Sequence, residues 1–216
     1  MRYARIASIP EREKSLEHAV KSIRPQVDSI FVVLNGYNHV PSFLNEGEYM
    51  MGDNSNGGAM KFIGVEDLDG YVFILDDDLS VPANYCVHMA NKIHQYNAVV
   101  TLHGKTYLRP VTHFTKWSAV YRCLGNVDKD VRVDVPGAGI MAFHTDIVKV
   151  KYSDFPTPNM SDLYMAKICH EQNVPIWCIA HTRNYLRYYP YKDTIWRRES
   201  KNGFKYRTEL LQSFLG

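Results

Sequence analysis

Three consecutive carboxylates, Asp76, Asp77 and Asp78, directly follow the apolar run of residues 71–75. An apolar run without alternation predicts a strand buried on both faces, and ligands of open α/β sheets bind outside the carboxyl ends of such strands. Adjacent carboxylates repel one another by roughly 4 kcal/mol per close pair at an effective dielectric of about 20, and divalent cations neutralise such oxygen clusters. The pattern predicts a metal site; a solvated turn is the alternative, because residues 80–82 are turn-like.

A second candidate site begins at Gly57 and Gly58, which precede a short segment predicted to be helical, residues 59–65. Paired glycines allow backbone amides to approach an anion, and Lys61 lies close enough in the chain to contact the same group. A simple turn is the alternative explanation for Gly-Gly.

Three further positions carry chemistry or permit close approach. His181 follows a predicted strand, residues 174–180, and is therefore either a metal ligand or a structural histidine. Asp162 lies in the first turn of a helix that Asn159 or Ser161 would cap, where a carboxylate favours the helix dipole by ~0.3–1 kcal/mol without any chemistry. The small residues 137–139 between two strands permit close approach to the backbone, with a β-bulge as the alternative.

The elements that must position these residues alternate between strand and helix. Buried strands are predicted at residues 3–8, 30–34, 71–75 and 98–102, with amphipathic helices between them, so the first half predicts a doubly wound α/β sheet. Residues 37–55 and 103–130 show no clear period and are interpreted as irregular. Residues 131–135 alternate and predict one edge or antiparallel strand.

Length and composition favour one domain. The chain has 216 residues, is 45% hydrophobic and carries a net charge of +2, which fits a single core and says little about partners. Four separated cysteines without a C-x-x-C pair indicate neither a zinc site nor disulfides, and suggest a reducing compartment. The sequence shows neither a signal peptide nor an apolar run of membrane-spanning length, so we expect a cytoplasmic protein without a membrane span.

The last part of the chain, residues 182–216, is rich in basic and aromatic side chains. Such a mixture can bind nucleic acid, sugars or diphosphates, and a solvated, partly packed terminal helix is the alternative. The basic residues are Arg183, Arg187, Lys192, Arg197, Arg198, Lys201, Lys205 and Arg207.

An ordered set of motifs resembles the GT-A nucleotide-sugar glycosyltransferases, and most closely small members from bacteria and chloroviruses that build polysaccharides or capsid glycans. The resemblance covers nearly the whole chain. It rests on the residues 7–12 (Ala-Ser-Ile-Pro-x-Arg), Gln26, residues 34–36 (Leu-Asn-Gly), Gly57-Gly58-x-x-Lys61, Asp76-x-Asp78, Gly137-x-Gly139, Asn159-Met160-x-Asp162 and His181.

The resemblance implies a mixed, mostly parallel central sheet flanked by helices, divided into a nucleotide-binding half (1–102), an acceptor and donor-sugar half (103–181) and the basic segment (182–216). It also implies a UDP-sugar as donor and a glycan or glycoprotein as acceptor, for example a viral capsid glycoprotein in the host-cell cytoplasm. By this resemblance the uridine is bordered by Ser8, Ile9, Pro10, Arg12 and Asn35. The ribose or diphosphate lies near Gly57, Gly58 and Lys61, and Asp76 holds the ribose. The metal is bound by Asp78 and His181, the donor sugar lies against Ala138 and Gly139, and Asp162 contacts the donor or serves as base.

The chemistry of these residues is consistent with those roles. A cation that bridges the diphosphate oxygens stabilises the negative charge that develops when the sugar–phosphate bond breaks. Mixed oxygen and imidazole ligands favour Mn²⁺, with Mg²⁺ also possible. Because Asp77 makes the acidic motif a triple, the sequence leaves open which carboxylates bind the metal and which contact the nucleotide.

Two other functions remain open from the sequence. A nucleotidyltransferase that makes sugar nucleotides would use a similar fold, but it is expected to carry a Gly-rich signature with Arg and Lys near the first strand, where only Arg12 fits. A non-catalytic module that binds a sugar nucleotide or glycan is the second, and replacement of Asp162 would then be silent. Nucleic acid is an unlikely partner, since only the basic segment favours it.

Overall fold

A computed structural model describes residues 1–191 and 203–216 of the chain. Its strands are β1 (Arg2–Ser8), β2 (Ser29–Asn35), β3 (Tyr49–Gly52), β4 (Tyr71–Asp76), β5 (Leu79–Ser80), β6 (Val99–Thr101), β7 (Gly104–Tyr107), β8 (Trp117–Tyr121), β9 (Val131–Arg132), β10 (Val135–Pro136), β11 (Ile140–His144), β12 (Ile176–Cys178) and β13 (Arg187–Tyr188). Its α-helices are α1 (Glu13–Ile23), α2 (Tyr85–Tyr96), α3 (Ser161–Glu171) and α4 (Lys205–Leu215), and 3-10 helices span Pro10–Arg12, Arg24–Gln26, Gly57–Phe62, Val65–Asp67 and Tyr152–Asp154.

The main sheet has eight strands in the order β3-β2-β1-β4-β11-β6-β12-β9. Strands β3, β2, β1 and β4 are parallel, β11 is antiparallel to both β4 and β6, and β12 is parallel to β6. The α/β class with a mixed, mostly parallel sheet is therefore confirmed. Two smaller sheets, β10-β7-β8 and β13-β5, lie beside it.

Two apolar layers cover the two faces of the main sheet. Along β4, Phe73 and Leu75 join the layer that contains α1 and α2, whereas Val72 and Ile74 join the layer that contains α3 and α4. All four side chains are at most 1% exposed. The unbroken apolar run thus forms a strand buried on both faces, as predicted, and its carboxyl end delivers Asp76 to the sheet edge.

The irregular stretches contain more structure than the sequence predicts. Residues 37–55 include β3, which extends the sheet beside β2, and residues 103–130 include the antiparallel pair β7 and β8. The single strand predicted at 131–135 is wrong, because β9 pairs with β12 and β10 pairs with β7 in a different sheet.

The starts of two helices depend on the residues found there. After β1, Pro10–Arg12 form a 3-10 helix with Pro10 at its start, where a missing N–H costs nothing. Helix α3 has Met160 as its N-cap without a side-chain cap bond, so the predicted cap by Asn159 or Ser161 is wrong. Asn159 instead adopts a left-handed conformation, with φ 60°.

Part of the basic segment lies outside the described residues, namely Lys192, Arg197, Arg198 and Lys201. Of the others, Arg183, Arg187 and Lys205 are exposed, whereas Arg207 is buried. No helix in the described part of the chain combines the length and the apolar character that crossing a membrane requires.

Candidate functional site

A cavity of about 230 Å³ opens at the carboxyl end of β4. It brings together side chains from the 3-10 helix Gly57–Phe62, the ends of β4 and β7, the turn before β11, and helices α3 and α4. The lining residues are Gly58, Lys61, Asp76, Lys105, Phe114, Ala138, Gly139, Asn159, Ser161, Asp162 and Arg207. Six of them are site residues predicted from the sequence: Gly58, Lys61, Asp76, Ala138, Gly139 and Asp162.

The floor of the cavity is an ion pair. The buried Lys61 ammonium donates to Asp76 Oδ1 at 2.5 Å and to the Ala138 carbonyl at 3.1 Å. Gly139 O accepts a hydrogen bond from Asp76 N at 2.8 Å, and a Cβ at Gly139 would lie inside contact distance of Asp76 Oδ2. Glycine at 139 therefore allows the backbone to approach the carboxylate, as the sequence predicts.

Asp77 points away from the cavity into a buried network. Its Oδ2 accepts from Ser8 Oγ at 2.7 Å and its Oδ1 accepts from Arg12 Nη1 at 2.8 Å. The Ser8 hydroxyl also lies 3.2 Å from Tyr37 OH. Ser8 and Arg12, which were predicted to border a uridine, thus hold the acidic turn in place. The two residues between them in the same prediction lie at the start of the 3-10 helix: Ile9 is its half-buried N-cap and Pro10 its exposed first residue.

The same arginine reaches the third carboxylate. Arg12 Nη1 donates to Asp78 Oδ2 at 3.2 Å. Burial, with the neighbouring carboxylates of Asp76 and Asp77, raises the pKa of Asp78 to about 7, although Arg12 and Lys61 oppose the rise. Burial and the neighbouring carboxylates therefore disfavour the ionised form of Asp78 even with two basic residues nearby.

Asn35 lies at the end of β2 and is 2% exposed. Its amide Nδ2 donates to Gly57 O at 3.2 Å, whereas its Oδ1 has no hydrogen-bond partner among the described residues. Gly57 has φ 50°, and the N–H of Gly58 donates to Asn159 Oδ1 at 3.3 Å. The Gly-Gly segment is thus fixed by two asparagines.

Asp162 lies in the first turn of α3 and is paired with Arg207 of α4. Arg207 Nη1 lies 3.2 Å from Asp162 Oδ1 and 3.4 Å from Oδ2, and Arg207 Nη2 donates to the Asn159 carbonyl at 2.5 Å. The Asp162 side chain is 20% exposed and faces the cavity, whereas Arg207 is almost completely buried. The candidate base is therefore accessible to a ligand and held by a cation.

His181 is not a lining residue of this cavity, but it lies near the acidic turn. Its Nδ1 is 2.6 Å from Ile179 O and its Nε2 is 3.2 Å from Arg122 O. Cys123 follows Arg122 in the chain. Burial and the nearby carboxylates of Asp76 and Asp78 raise the pKa of the Cys123 thiol to about 11. Both ring nitrogens of His181 already contact backbone carbonyl oxygens. A metal role for His181 stays a prediction.

The acidic turn has the donor chemistry that a divalent cation needs. Within the part of the chain that the structure describes, no group of three or more His, Cys, Asp or Glu side chains is arranged as a complete metal cage. Sites that bind a cation together with substrate phosphates use only one or two carboxylates. Asp76 and Asp78 are two carboxylates at the end of one strand, which is the number that such a site uses.

Several site residues carry no recognisable sequence signal. Lys105, Phe114 and Arg207 reach the cavity from the irregular stretch and from the terminal helix. Tyr189 donates its N–H to Asp78 O at 2.9 Å, and the ring of Tyr191 lies 5.1 Å from the Arg12 guanidinium. Their proximity depends on how distant segments pack. The richness of the terminal segment in basic and aromatic residues pointed to Arg207, Tyr189 and Tyr191, but no local pattern pointed to Lys105 or Phe114.

Neither the family models nor the curated proteins searched for similarity match this chain.

Proposed function

We propose that the protein is a metal-dependent glycosyltransferase that transfers a hexose from a UDP-sugar to a hydroxyl group of a glycan. One observation carries this proposal. The cleft at the carboxyl end of the sheet brings a buried cation, Lys61, which pairs with Asp76, together with a second cavity-facing carboxylate, Asp162. Asp78 does not line this cavity but lies two residues beyond Asp76, where burial and the neighbouring carboxylates raise its pKa to about 7. A diphosphate needs positive charge, a cation needs carboxylates, and an acceptor hydroxyl needs a base.

Each residue has a role that its position allows. Asp78, with Asp76 beside it, would hold a divalent cation such as Mn²⁺, which neutralises charge on the departing diphosphate. Lys61 lines the cavity and would contact the same group. Asn35, whose buried Oδ1 has no hydrogen-bond partner among the described residues, would contact the uracil. Ala138 and Gly139 line the cavity where the donor sugar would lie, and Asp162 would orient or deprotonate the acceptor.

A non-catalytic module that binds a sugar nucleotide is the second candidate, and the Asp162–Arg207 pair favours it. The Asp162 carboxylate already has the buried guanidinium of Arg207 as its partner, which explains its position without any chemistry. In such a module Asp162 would only recognise the ligand or anchor α4.

Binding and turnover separate these candidates. We expect calorimetry to show Mn²⁺-dependent binding of UDP, with GDP and CMP weaker, and loss of the Mn²⁺ dependence in Asp78→Asn. The control Asp146→Asn removes a carboxylate that is 74% exposed and follows the far end of β11, and it should bind as the wild type does. Equal affinities for the three nucleotides would contradict the assigned base pocket.

Donor hydrolysis and sugar transfer are then measured for Asp162→Asn. The enzyme hypothesis expects donor affinity within a few-fold of wild type and turnover reduced by roughly 10²–10⁴-fold, the usual contribution of a positioned acid–base group. A wild-type protein that binds the donor but never turns it over, with any glycan acceptor tried, would establish the binding module instead.

A further inference from the structure

The terminal helix α4 contributes a charged side chain to the cavity. Arg207 lies in its first turn and is 6% exposed. A buried guanidinium is costly unless it is paired and hydrogen-bonded, so the placement of Arg207 requires partners. Those partners are Asp162 and the backbone carbonyl of Asn159, both at the start of α3.

The contact constrains the orientation of the Asp162 carboxylate. One guanidinium nitrogen lies within 3.4 Å of both carboxylate oxygens, while the second nitrogen is fixed by the Asn159 carbonyl. Two anchored nitrogens of a planar group hold the guanidinium in one place, which limits rotation of the carboxylate about its last side-chain bond. Held in this way, the Asp162 side chain lines the cavity.

The same contact connects both sides of the cavity. Asn159, whose carbonyl accepts from Arg207, also accepts through its side chain from the N–H of Gly58. Gly58 belongs to the 3-10 helix that carries Lys61. Arg207 therefore connects α4 to the start of α3 and, through Asn159, to the segment whose Lys61 pairs with Asp76.

Apolar packing and a hydrogen bond hold helix α4 in place. Leu211 and Phe214 pack in the apolar layer against α3, and Thr208 Oγ accepts a hydrogen bond from the N–H of Phe114 at 3.1 Å. The Phe114 ring centroid lies 5.3 Å from the Arg207 guanidinium. A group carried by a packed helix is positioned more firmly than one on a loop.

We propose that Arg207 is a positioning residue, which holds the Asp162 carboxylate in the orientation that the acceptor hydroxyl requires and thereby makes α4 part of the active site. This inference rests on the proposed transferase function. The alternative is that the Asp162–Arg207 ion pair only fastens α4 to α3. Replacing Arg207 would then lower the stability of the fold, whether or not residue 162 takes part in catalysis.

A double-mutant cycle tests the proposal. Arg207→Met keeps the apolar stem and removes the charge, and we expect kcat for sugar transfer to fall by roughly 10–100-fold with the donor KM within about 3-fold, as for a misplaced catalytic group. Arg207→Lys keeps a cation and should recover most of that loss. In the Asp162→Asn background, either Arg207 substitution should change kcat by less than about 2-fold, because residues that act as one unit are not additive.

The matched control is Lys205→Met, which removes an 85%-exposed cation from the same turn of α4 and should leave kcat unchanged. Thermal unfolding of every variant detects loss of the fold; if Arg207→Met unfolds, Arg207→Gln, which keeps an N–H donor for the Asn159 carbonyl and removes the charge, replaces it in the cycle. Additive losses in the Asp162→Asn background, or equal activity of Arg207→Met and wild type, would overturn the inference while the transferase function stands. A wild-type protein without transfer activity would overturn both.

Discussion

Asp76 occupies its position only because residue 139 is glycine. Its carboxylate lies where a Cβ of residue 139 would be, and the other side of that carboxylate is held by the buried ammonium of Lys61. Moving Asp76 would separate the pair and leave Lys61, which is 4% exposed, without its counter-ion. The close approach of backbone and carboxylate is thus part of the charge balance of the cleft.

Gly139→Ala is therefore expected to destabilise the fold as well as to weaken ligand binding. Forcing a methyl group into a packed site costs about 1–3 kcal/mol. At roughly 2–4 °C per kcal/mol for a chain of this size, the midpoint of thermal unfolding should fall by several degrees. Gly58→Ala is the control for stability: its Cβ would meet no atom closer than 4.0 Å, so its midpoint should not fall. Equal midpoints for both variants would show that Asp76 moves freely.

Helices and strands differ in how far the sequence predicts them. Strands β2 and β4 were predicted because each contains a continuous apolar run buried on both faces, and α1 and α2 because their apolar residues recur at helical spacing. Strand β3 was missed because it is a short, half-exposed edge strand that is stabilised by backbone pairing with β2. Its sequence carries no period of its own, and the same holds for β7 and β8.

The site residues divide in the same way, into those that a local pattern predicts and those that only long-range contacts bring together. Asp76 and Asp78 were predicted from the end of a recognisable strand, and Lys61, Ala138 and Gly139 from close-approach motifs nearby. Arg207 reaches Asp162 from 45 residues along the chain, so nothing local in the sequence predicts that contact. The role of Asp77 was also hidden, because its partners Ser8 and Arg12 come from the end of β1 and the 3-10 helix that follows it.

Asp130 connects α2 to the chain that follows β12. Its Oδ2 accepts from Lys92 Nζ and Tyr96 OH at 2.7 Å each, and its Oδ1 accepts from the N–H of Ala180 at 2.7 Å. Burial alone would raise the pKa of this carboxyl, but the hydrogen bonds from Ala180, Lys92 and Tyr96 outweigh burial and lower it. The ionised form is thus favoured by folding.

Asp130→Asn should reduce the free energy of unfolding by about 1–3 kcal/mol at pH 7, the usual contribution of hydrogen bonds to a charged group. Because the folded pKa is below the unfolded value of about 3.9, the wild-type contribution is present above that pH and is lost as the pH falls through the folded pKa. Urea titrations from neutral pH to about pH 3 should therefore show the variant and the wild type converging. Asp128→Asn, which removes an exposed carboxylate two residues away, should follow the wild-type curve. A constant difference at all pH values would contradict this account.

At the scale of the whole molecule, the two predicted halves share one sheet. Strands β4 and β6 belong to residues 1–102, yet β11 from the second half lies between them and pairs with both. Strand β6 has β11 and β12 as its neighbours, and both come from beyond residue 102. The apolar layer that contains α3 and α4 is built largely from the second half as well. The cleft lies where the two halves interleave.

Residues 1–102 should consequently not fold as an independent unit. In that fragment β4 would lose one neighbouring strand and β6 would lose both. The face of the sheet that α3 and α4 cover would also be exposed to water, and exposing the apolar side chains of Val72 and Ile74 is strongly unfavourable. We expect far-UV circular dichroism of the fragment to show no cooperative urea transition. The full chain should unfold in one transition whose m-value corresponds to the surface of all 216 residues. A fragment that unfolds cooperatively, or a full chain with two transitions, would show that the inserted strand β11 is dispensable for folding of the first half.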